Sequence, residues 1–280
     1  SRGPNGKKLK GSIIAPEGYS LIDCDSSQIE ARVLAWLAGQ DDLTKQFADG
    51  EDVYKYMASS IYNVPVDGVN KEQRFVGKTT ILGAGYGMGA PKFQAQLQGM
   101  GVYIELDEAR RIIQVYRDAN GAISQLWRDA NNMVQYMQRG DSLQFGKEGV
   151  LQVDAQKNAV MLPSGLPMFY HGLMAEQGER GPEYTYKTRK GPNRIYGGKV
   201  VENVCQGIAR CIIGHQMLLI AKRYKVVLTV HDSVVACVAD DELDVARAYV
   251  EECMSQTPDW ADGLPITCES GTGKSYGECE

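Results

Sequence analysis

The sequence has no membrane-length apolar run, no Cys-x-x-Cys pair and no surplus of positive charge. None of its apolar stretches approaches the roughly 20 residues that cross a bilayer, so no membrane role is expected. The start, Ser1-Arg2-Gly3-Pro4-Asn5-Gly6-Lys7-Lys8, has neither an apolar signal core nor an initiator Met, and is expected to be the beginning of a fragment or of a processed chain. The seven cysteines, Cys24, Cys205, Cys211, Cys237, Cys253, Cys268 and Cys279, are odd in number and are not paired at zinc-ribbon spacing. That argues against both zinc ribbons and a disulfide framework, and a reducing cytoplasm fits best. A formal net charge of −5 offers no global attraction to a polyanion, so any nucleic-acid site must come from local basic patches. Two such patches exist: Arg2, Lys7, Lys8 and Lys10, and the Gly-, Pro- and Tyr-rich stretch with Arg180, Lys187, Arg189, Lys190, Arg194 and Lys199.

What is present is a 280-residue chain with 43% hydrophobic and 23% charged residues, large enough for one unit with a full core or two interlocked subdomains. Tyr19 to Asp25 alternates as a strand, with Leu21, Asp23 and Asp25 on one face and Ile22 and Cys24 on the other. From Gln28 the pattern becomes helical, its apolar stripe of Ile29, Val33, Leu34, Trp36 and Leu37 ending at Gly39. Helices are expected to dominate from Leu43 to Arg139, including Lys71 to Leu82, Ala90 to Gly99 and an amphipathic stretch from Asp107 to Tyr136 broken near Gly121. Short β-prone pieces and Gly/Pro punctuation suggest hairpins and loops from Asp141 to Lys199. A helix from about Val200 to Arg223 leads into a β-branched run, Lys225 to Val238, interrupted only by His231-Asp232-Ser233, which reads as a hairpin with an acidic tip. One more helix is expected from Asp240 to Ser255, followed by a short, irregular tail.

Two far-separated β elements thus each end in an acid, Asp25 and Asp232. Carboxylates are hard oxygen ligands suited to Mg²⁺, and a metal pair about 3.5 to 4 Å apart stabilises attacking and leaving oxygens together in phosphoryl transfer. A third constellation, Arg74, Lys78, Leu82 and Tyr86, is spaced by four along a predicted helix and traces one slowly wrapping stripe. Two cations followed by an aromatic suit a nucleoside triphosphate. Gly271-Thr272-Gly273-Lys274-Ser275 looks like a phosphate-binding loop, but Cys268 stands where the motif wants Gly and too few residues follow for a long helix. The expectation there is a flexible turn.

Together the three constellations resemble the polymerase motifs of family A DNA polymerases. Asp25-Ser26-Ser27-Gln28-Ile29-Glu30-Ala31-Arg32 is similar to the family's Asp-Tyr-Ser-Gln-Ile-Glu-Leu-Arg; Arg74, Lys78, Leu82, Gly83, Tyr86 and Gly87 follow its second motif; His231-Asp232-Ser233 follows His-Asp-Glu. Lesser echoes are Ile14-Ala15-Pro16-Glu17, Phe47-Ala48-Asp49-Gly50-Glu51-Asp52 and Asn203-Val204-Cys205-Gln206-Gly207. The resemblance implies an α+β fold, a right-hand polymerase palm with an antiparallel sheet plus a helical fingers subdomain: palm over 1–40, fingers over 41–140, a hairpin and loop region over 141–199, and palm again over 200–280. It implies template-directed addition of dNMP to a primer 3′-hydroxyl by two-metal phosphoryl transfer, with closure of the helical subdomain completing the site over a fitting base pair. Two Mg²⁺ ions would sit on Asp25, Asp232 and the Ser26 carbonyl. Arg74 and Lys78 would bind the incoming triphosphate, Lys78 also protonating the leaving pyrophosphate. Gln28, Leu82 and Tyr86 would line the nucleotide site, and Glu30 would crowd the sugar 2′ position. Asn203, Gln206 and His231 would contact DNA, with Asn203 one residue closer to Gln206 than in the bacterial pattern. Primer-template DNA and dNTPs are the expected partners.

Three departures change the expectation. Ser26 stands where the family has Tyr, altering the support for Glu30; Leu82 replaces an aromatic; Ser233 replaces Glu and removes a third carboxylate, for which Asp23 on the same strand face is a substitute. The thumb and the 3′-5′ exonuclease of the family have no counterpart in this sequence, so proofreading is not expected from it, and a longer parent or a processivity partner would supply the remaining grip on DNA. The spelling is phage-like, which would place the chain in a host cytoplasm. A single-subunit RNA polymerase shares this layout, with Glu30 favouring DNA synthesis, and a non-catalytic DNA-binding subunit of a split polymerase is the remaining alternative.

Overall fold

In a computed structural model, residues 6–178 and 181–279 are described. The chain runs α1 (Gly6–Gly11), β1 (Tyr19–Ser26), α2 (Ile29–Ala38), α3 (Asp41–Ala48), α4 (Val53–Tyr62), α5 (Lys71–Ala84), α6 (Ala90–Gly99), α7 (Leu106–Ala119) and α8 (Gly121–Arg139). It continues through β2 (Leu143–Phe145), β3 (Leu151–Asp154), β4 (Ala159–Met161), β5 (Pro167–Phe169), β6 (Met174–Gly178), β7 (Gly181–Thr188) and β8 (Gly191–Ile195). The last elements are α9 (Gly197–Ile220), β9 (Lys225–Val230), β10 (Ser233–Ala239), α10 (Leu243–Met254) and β11 (Cys268–Gly273). The α+β expectation holds. Two compact units form, one from residues 1–29 with 209–280, the other from residues 30–208. Among the described residues no helix is long and apolar enough to cross a membrane.

The first unit is built on a four-stranded antiparallel sheet, β11-β1-β10-β9. Alternation along β1 divides its residues between two environments. Ile22 and Cys24 join Val234, Ala236 and Val238 of β10 in a fully buried cluster with Ile213 and Ile220 of α9 and Ala246, Val250 and Met254 of α10. Leu21 faces the other way, against Val235, Tyr276 and Cys279. Asp23 and Asp25 follow Leu21 at period two and therefore share its face. The β9–β10 connection is a two-residue loop, His231-Asp232, because Val230 pairs directly with Ser233. Its first residue, His231, holds φ +55°, the sign that tight hairpin loops require.

The tail expected to be irregular is a strand. β11 pairs antiparallel with β1 from Leu21↔Gly273 to Ser26↔Cys268, and a short 3-10 turn follows at Tyr276–Glu278. The phosphate-loop look-alike is thus neither a nucleotide cradle nor a flexible turn. Gly271 is present because the chain folds back on it: a Cβ there would lie 1.7 Å from the Cys279 carbonyl oxygen. Lys274 donates to the Tyr19 carbonyl at 2.8 Å and to the Asp240 carboxylate at 2.5 Å, pinning the strand's end.

The second unit is helical from α2 to α8, then carries two small antiparallel sheets, β2-β3-β4-β5 and β6-β7-β8. α5 starts at a reciprocal cap, in which Asn70 accepts from the Gln73 N–H at 2.9 Å while the Asn70 N–H donates to the Gln73 side chain at 3.0 Å. It packs on α4 with almost no clearance at Gly77, where a Cβ would fall 2.2 Å from the Tyr54 carbonyl oxygen. α5 ends at Ala84, so Tyr86 is not on the helix as the spacing by four suggested. It lies in the turn beyond, which closes through Gly87 at φ +74°.

Of the two basic stretches, Arg2 and Arg180 lie outside the described residues, as does the side chain of Lys7. Lys8 and Lys10 belong to α1, and Lys10 lies over the Tyr276 ring at 4.9 Å. Arg194 and Lys199 are ion-paired with Glu183 and Glu202.

Candidate active site

In the first unit, β1 and the β9–β10 loop bring Asp25 and Asp232 into one cleft of about 510 Å³. Strand pairing explains the meeting: Asp25 is the Cα partner of Ser233, the residue next to Asp232, and the Ser26 N–H donates to the Asp232 carbonyl at 3.1 Å. His231 lines the same cleft with Asp23, Lys10 and Tyr276. Of the expected site residues in this unit, Ser26 is buried and Gln28 is exposed with φ +52°.

The cleft contains an acid the sequence reading missed. Glu269 of β11 is the direct cross-strand partner of Asp25, and it lines the same cleft. Side chains so paired have Cβ atoms about 4.5–5.5 Å apart. Desolvation, then the negative charges of Asp232, Asp23 and Glu269, push the Asp25 carboxyl up to about 6. A cleft that crowds several carboxylates is an electrostatic environment that favours a cation. Among the described residues there is no cage of three or more His, Cys, Asp or Glu side chains. Two carboxylates with hard oxygen chemistry still fit magnesium, which is commonly held by one or two protein carboxylates and completed by water and substrate phosphates.

In the second unit, Arg74 and Lys78 project from α5 one helical turn apart, their cations 5.3 Å and 5.8 Å from the Tyr54 ring centre. Lys78 is exposed. Arg74 is held by Asp52, its Nε donating to the carboxylate at 2.6 Å. Burial opposes the Asp52 anion, but Arg74 and the N–H groups of Lys55 and Tyr54 outweigh it and hold the carboxyl below its ordinary range. Leu82, one turn further, is 42% exposed, leaving an apolar side chain on an open face.

Tyr86 donates its hydroxyl to Glu30 at 3.2 Å. Burial, then Cys205 and Glu30, push the phenol far above its usual range, so it remains a donor. Trp127 fixes the turn that carries Tyr86 by donating its indole N–H to the Gly85 carbonyl at 2.8 Å. Glu30 therefore takes its support from Tyr86, in a chain where Ser26 replaces the family's Tyr. On α9, Gln206 is exposed, and Asn203 donates to the Tyr170 hydroxyl at 3.3 Å. The structure thus brings together three groups: Asp25 with His231 and Asp232; Arg74 with Lys78; and Glu30 with Tyr86.

A model of DNA polymerase family A matches residues 1–158. The DNA polymerase of Bacillus phage SP02 is 32% identical over 274 residues, 93% of this chain and 42% of that protein. Thermostable DNA polymerase I of Thermus thermophilus is 25% identical over 280 residues, 98% of this chain and 29% of that protein. The chain therefore spans less than half the length of these curated relatives. Among solved structures, the POL domain of Pol1 from M. smegmatis, in complex with DNA primer-template and dNTP, matches with a TM-score of 0.68 and 23% identity, covering all of this chain and 44% of that one. That likeness is one of fold.

Proposed function

This chain belongs to DNA polymerase family A, and from that premise we propose that it is the polymerising part of a template-directed DNA polymerase, adding dNMP to a primer 3′-hydroxyl. The observation that carries the reading is the meeting of Asp25 and Asp232 in one acidic cleft, at the positions where the family motifs put them.

In this reading Asp25, Asp232 and the Ser26 carbonyl would hold two magnesium ions, which would supply charge neutralisation to the attacking and leaving oxygens. Arg74 and Lys78 bind the triphosphate of the incoming dNTP, and Lys78 gives a proton to the pyrophosphate as it leaves the α-phosphate. Gln28, Leu82 and Tyr86 line the nucleotide site. Glu30, oriented by Tyr86, lies against the sugar C2′ and excludes a ribose hydroxyl by sterics. Asn203, Gln206 and His231 contact primer-template DNA.

Primer extension on a primed DNA template with Mg²⁺, supplied with dNTPs or rNTPs, tests the proposal. Template-directed addition of dNMP is expected, with rNMP rejected. Addition of rNMP in preference would favour an RNA polymerase, and binding without any addition would favour a non-catalytic subunit. Glu30→Ala is expected to cut sugar discrimination at least about tenfold while dNTP turnover changes less, read from the ratio of kcat/KM values for dNTP and rNTP.

Asp52 supplies a second test. In the free chain its carboxylate occupies the guanidinium that a triphosphate would need. Asp52→Asn keeps an oxygen to cap α4, where Asp52 accepts from the Lys55 N–H at 3.2 Å, but removes the competing charge. The KM for dNTP is expected to fall about 2- to 5-fold with kcat little changed, an exposed ion pair being worth about 0.2–1 kcal/mol. An unchanged or raised KM would argue against Arg74 as a triphosphate ligand.

A further inference from the structure

The β6-β7-β8 sheet of the second unit has no role in the proposed chemistry, yet it carries a cluster of exposed positive charge. β7 and β8 are joined by a two-residue tip, Arg189-Lys190, because Thr188 pairs directly with Gly191. The tip is built to a definite shape. The Thr188 hydroxyl donates to the Gly191 carbonyl at 2.8 Å and accepts from the Lys190 N–H at 3.2 Å, and Gly191 takes the positive φ of +115°. Lys187, Arg189 and Lys190 are all exposed. Among the described residues none of the three has an acid within ion-pairing distance, whereas Arg194 further along β8 is matched by Glu183 at 2.5 Å. The tip thus gathers three exposed cations in four residues, with no acid paired to them among the described residues, in a chain whose net charge is −5.

The sheet is also anchored to the helix whose face the polymerase reading assigns to DNA. Tyr186 of β7 packs edge-on against Tyr170 with ring centres 5.2 Å apart. Tyr170 is fully buried, and its hydroxyl accepts from Asn203 of α9 at 3.3 Å. The Lys187 N–H donates to the His171 carbonyl at 2.8 Å, and the Lys187 stem packs over Gly172. The cationic tip is therefore tied through two tyrosines to Asn203.

We propose that the β7–β8 tip, Lys187, Arg189 and Lys190, binds the phosphate backbone of DNA and extends the DNA contact beyond α9. The inference rests on the polymerase reading. Cations on a fixed turn with no aromatic between them meet phosphates, which position a duplex without reading its sequence. Charge complementarity selects the occupant: a polyanion meets three unneutralised charges, and each neutralised phosphate releases counterions.

The test compares wild type with the triple variant K187Q/R189Q/K190Q, and with K187R/K190R, which preserves charge. Binding of a labelled primer-template duplex and of a single strand is measured by fluorescence anisotropy from 50 to 200 mM salt, with extension rates at saturating DNA beside it. The triple variant is expected to bind duplex about 10- to 100-fold more weakly at low salt. Its log Kd against log salt slope should be shallower by about 3. The extension rate at saturating DNA should be unchanged and the charge-preserving variant normal. Equal affinity and slope for the triple variant and wild type, with extension intact, would overturn the tip's role while leaving the polymerase reading standing. Wild type that neither binds nor extends primer-template would overturn both. If DNA binding is unchanged and the triple variant instead abolishes self-association in sedimentation, the tip meets a second copy of this acidic chain and the proposal fails.

Discussion

Asp232→Asn, and separately Asp25→Asn, are expected to reduce single-nucleotide addition by at least about 10³-fold, equivalent to about 4 kcal/mol of lost transition-state stabilisation. An amide keeps the size and one oxygen but removes the negative charge that holds a magnesium ion, so the loss should fall on kcat with KM for dNTP changing less. The same substitutions should stabilise the metal-free chain. Asp25 shares its cleft with Asp232, Asp23 and Glu269, which together with desolvation raise its pKa to about 6, so Asn in its place relieves like-charge repulsion. The two effects are separable by measuring single-turnover addition and thermal melting without Mg²⁺. Activity within about tenfold of wild type would remove Asp25 or Asp232 from the chemistry. A melting temperature lowered by Asp25→Asn would mean that its carboxylate is structural.

The second large effect is expected from a residue with no side chain. Gly77→Ala would place a methyl group 2.2 Å from the Tyr54 carbonyl oxygen and 3.0 Å from the Ala58 nitrogen. Both are backbone atoms of α4, so no side chain can rotate away and the helices must separate. Overpacking typically costs about 1–3 kcal/mol, and a clash with rigid backbone belongs at or above the top of that range. Alanine's better helix propensity, worth about 1 kcal/mol, offsets only part of it. Separation would also pull Arg74 away from Asp52 and Tyr54. The variant is expected to melt about 5–10 °C lower. A melt at or above the wild-type temperature would mean that α4 and α5 are not packed at this distance.

The parts of this molecule legible in its sequence were those where one pattern dominates. Asp25 could be placed because Leu21, Asp23 and Asp25 alternate against Ile22 and Cys24, and Asp232 because a β-branched run breaks only there. Glu269 could not. Its segment, Cys268-Glu269-Ser270-Gly271-Thr272-Gly273, has two glycines and weak β preference, and becomes a strand because β1 offers it an edge. Tyr86 was misplaced because spacing by four continues past the point where Gly85 and Gly87 end the helix. Asp52 was seen as part of a motif echo, but its grip on Arg74 across 22 residues is tertiary. The hairpins after residue 141 were foreseen in outline, while the buried Tyr170 that connects them to Asn203 has no local signature.

The β11–β1 pairing has a consequence for the chain's synthesis. β1 ends at Ser26 and its partner begins at Cys268, so one edge of the acid-bearing strand must wait for 242 further residues. At a ribosomal rate of about 5–20 residues per second, that wait is about 10–50 s. For that time a strand carrying Leu21, Ile22 and Cys24 exposes an open row of backbone donors and acceptors to other nascent chains. Slower translation or truncation before Cys268 should therefore increase aggregation of the newly made protein, and Asp23 and Asp25, which repel a second copy of the same edge, would protect the strand before β11 arrives.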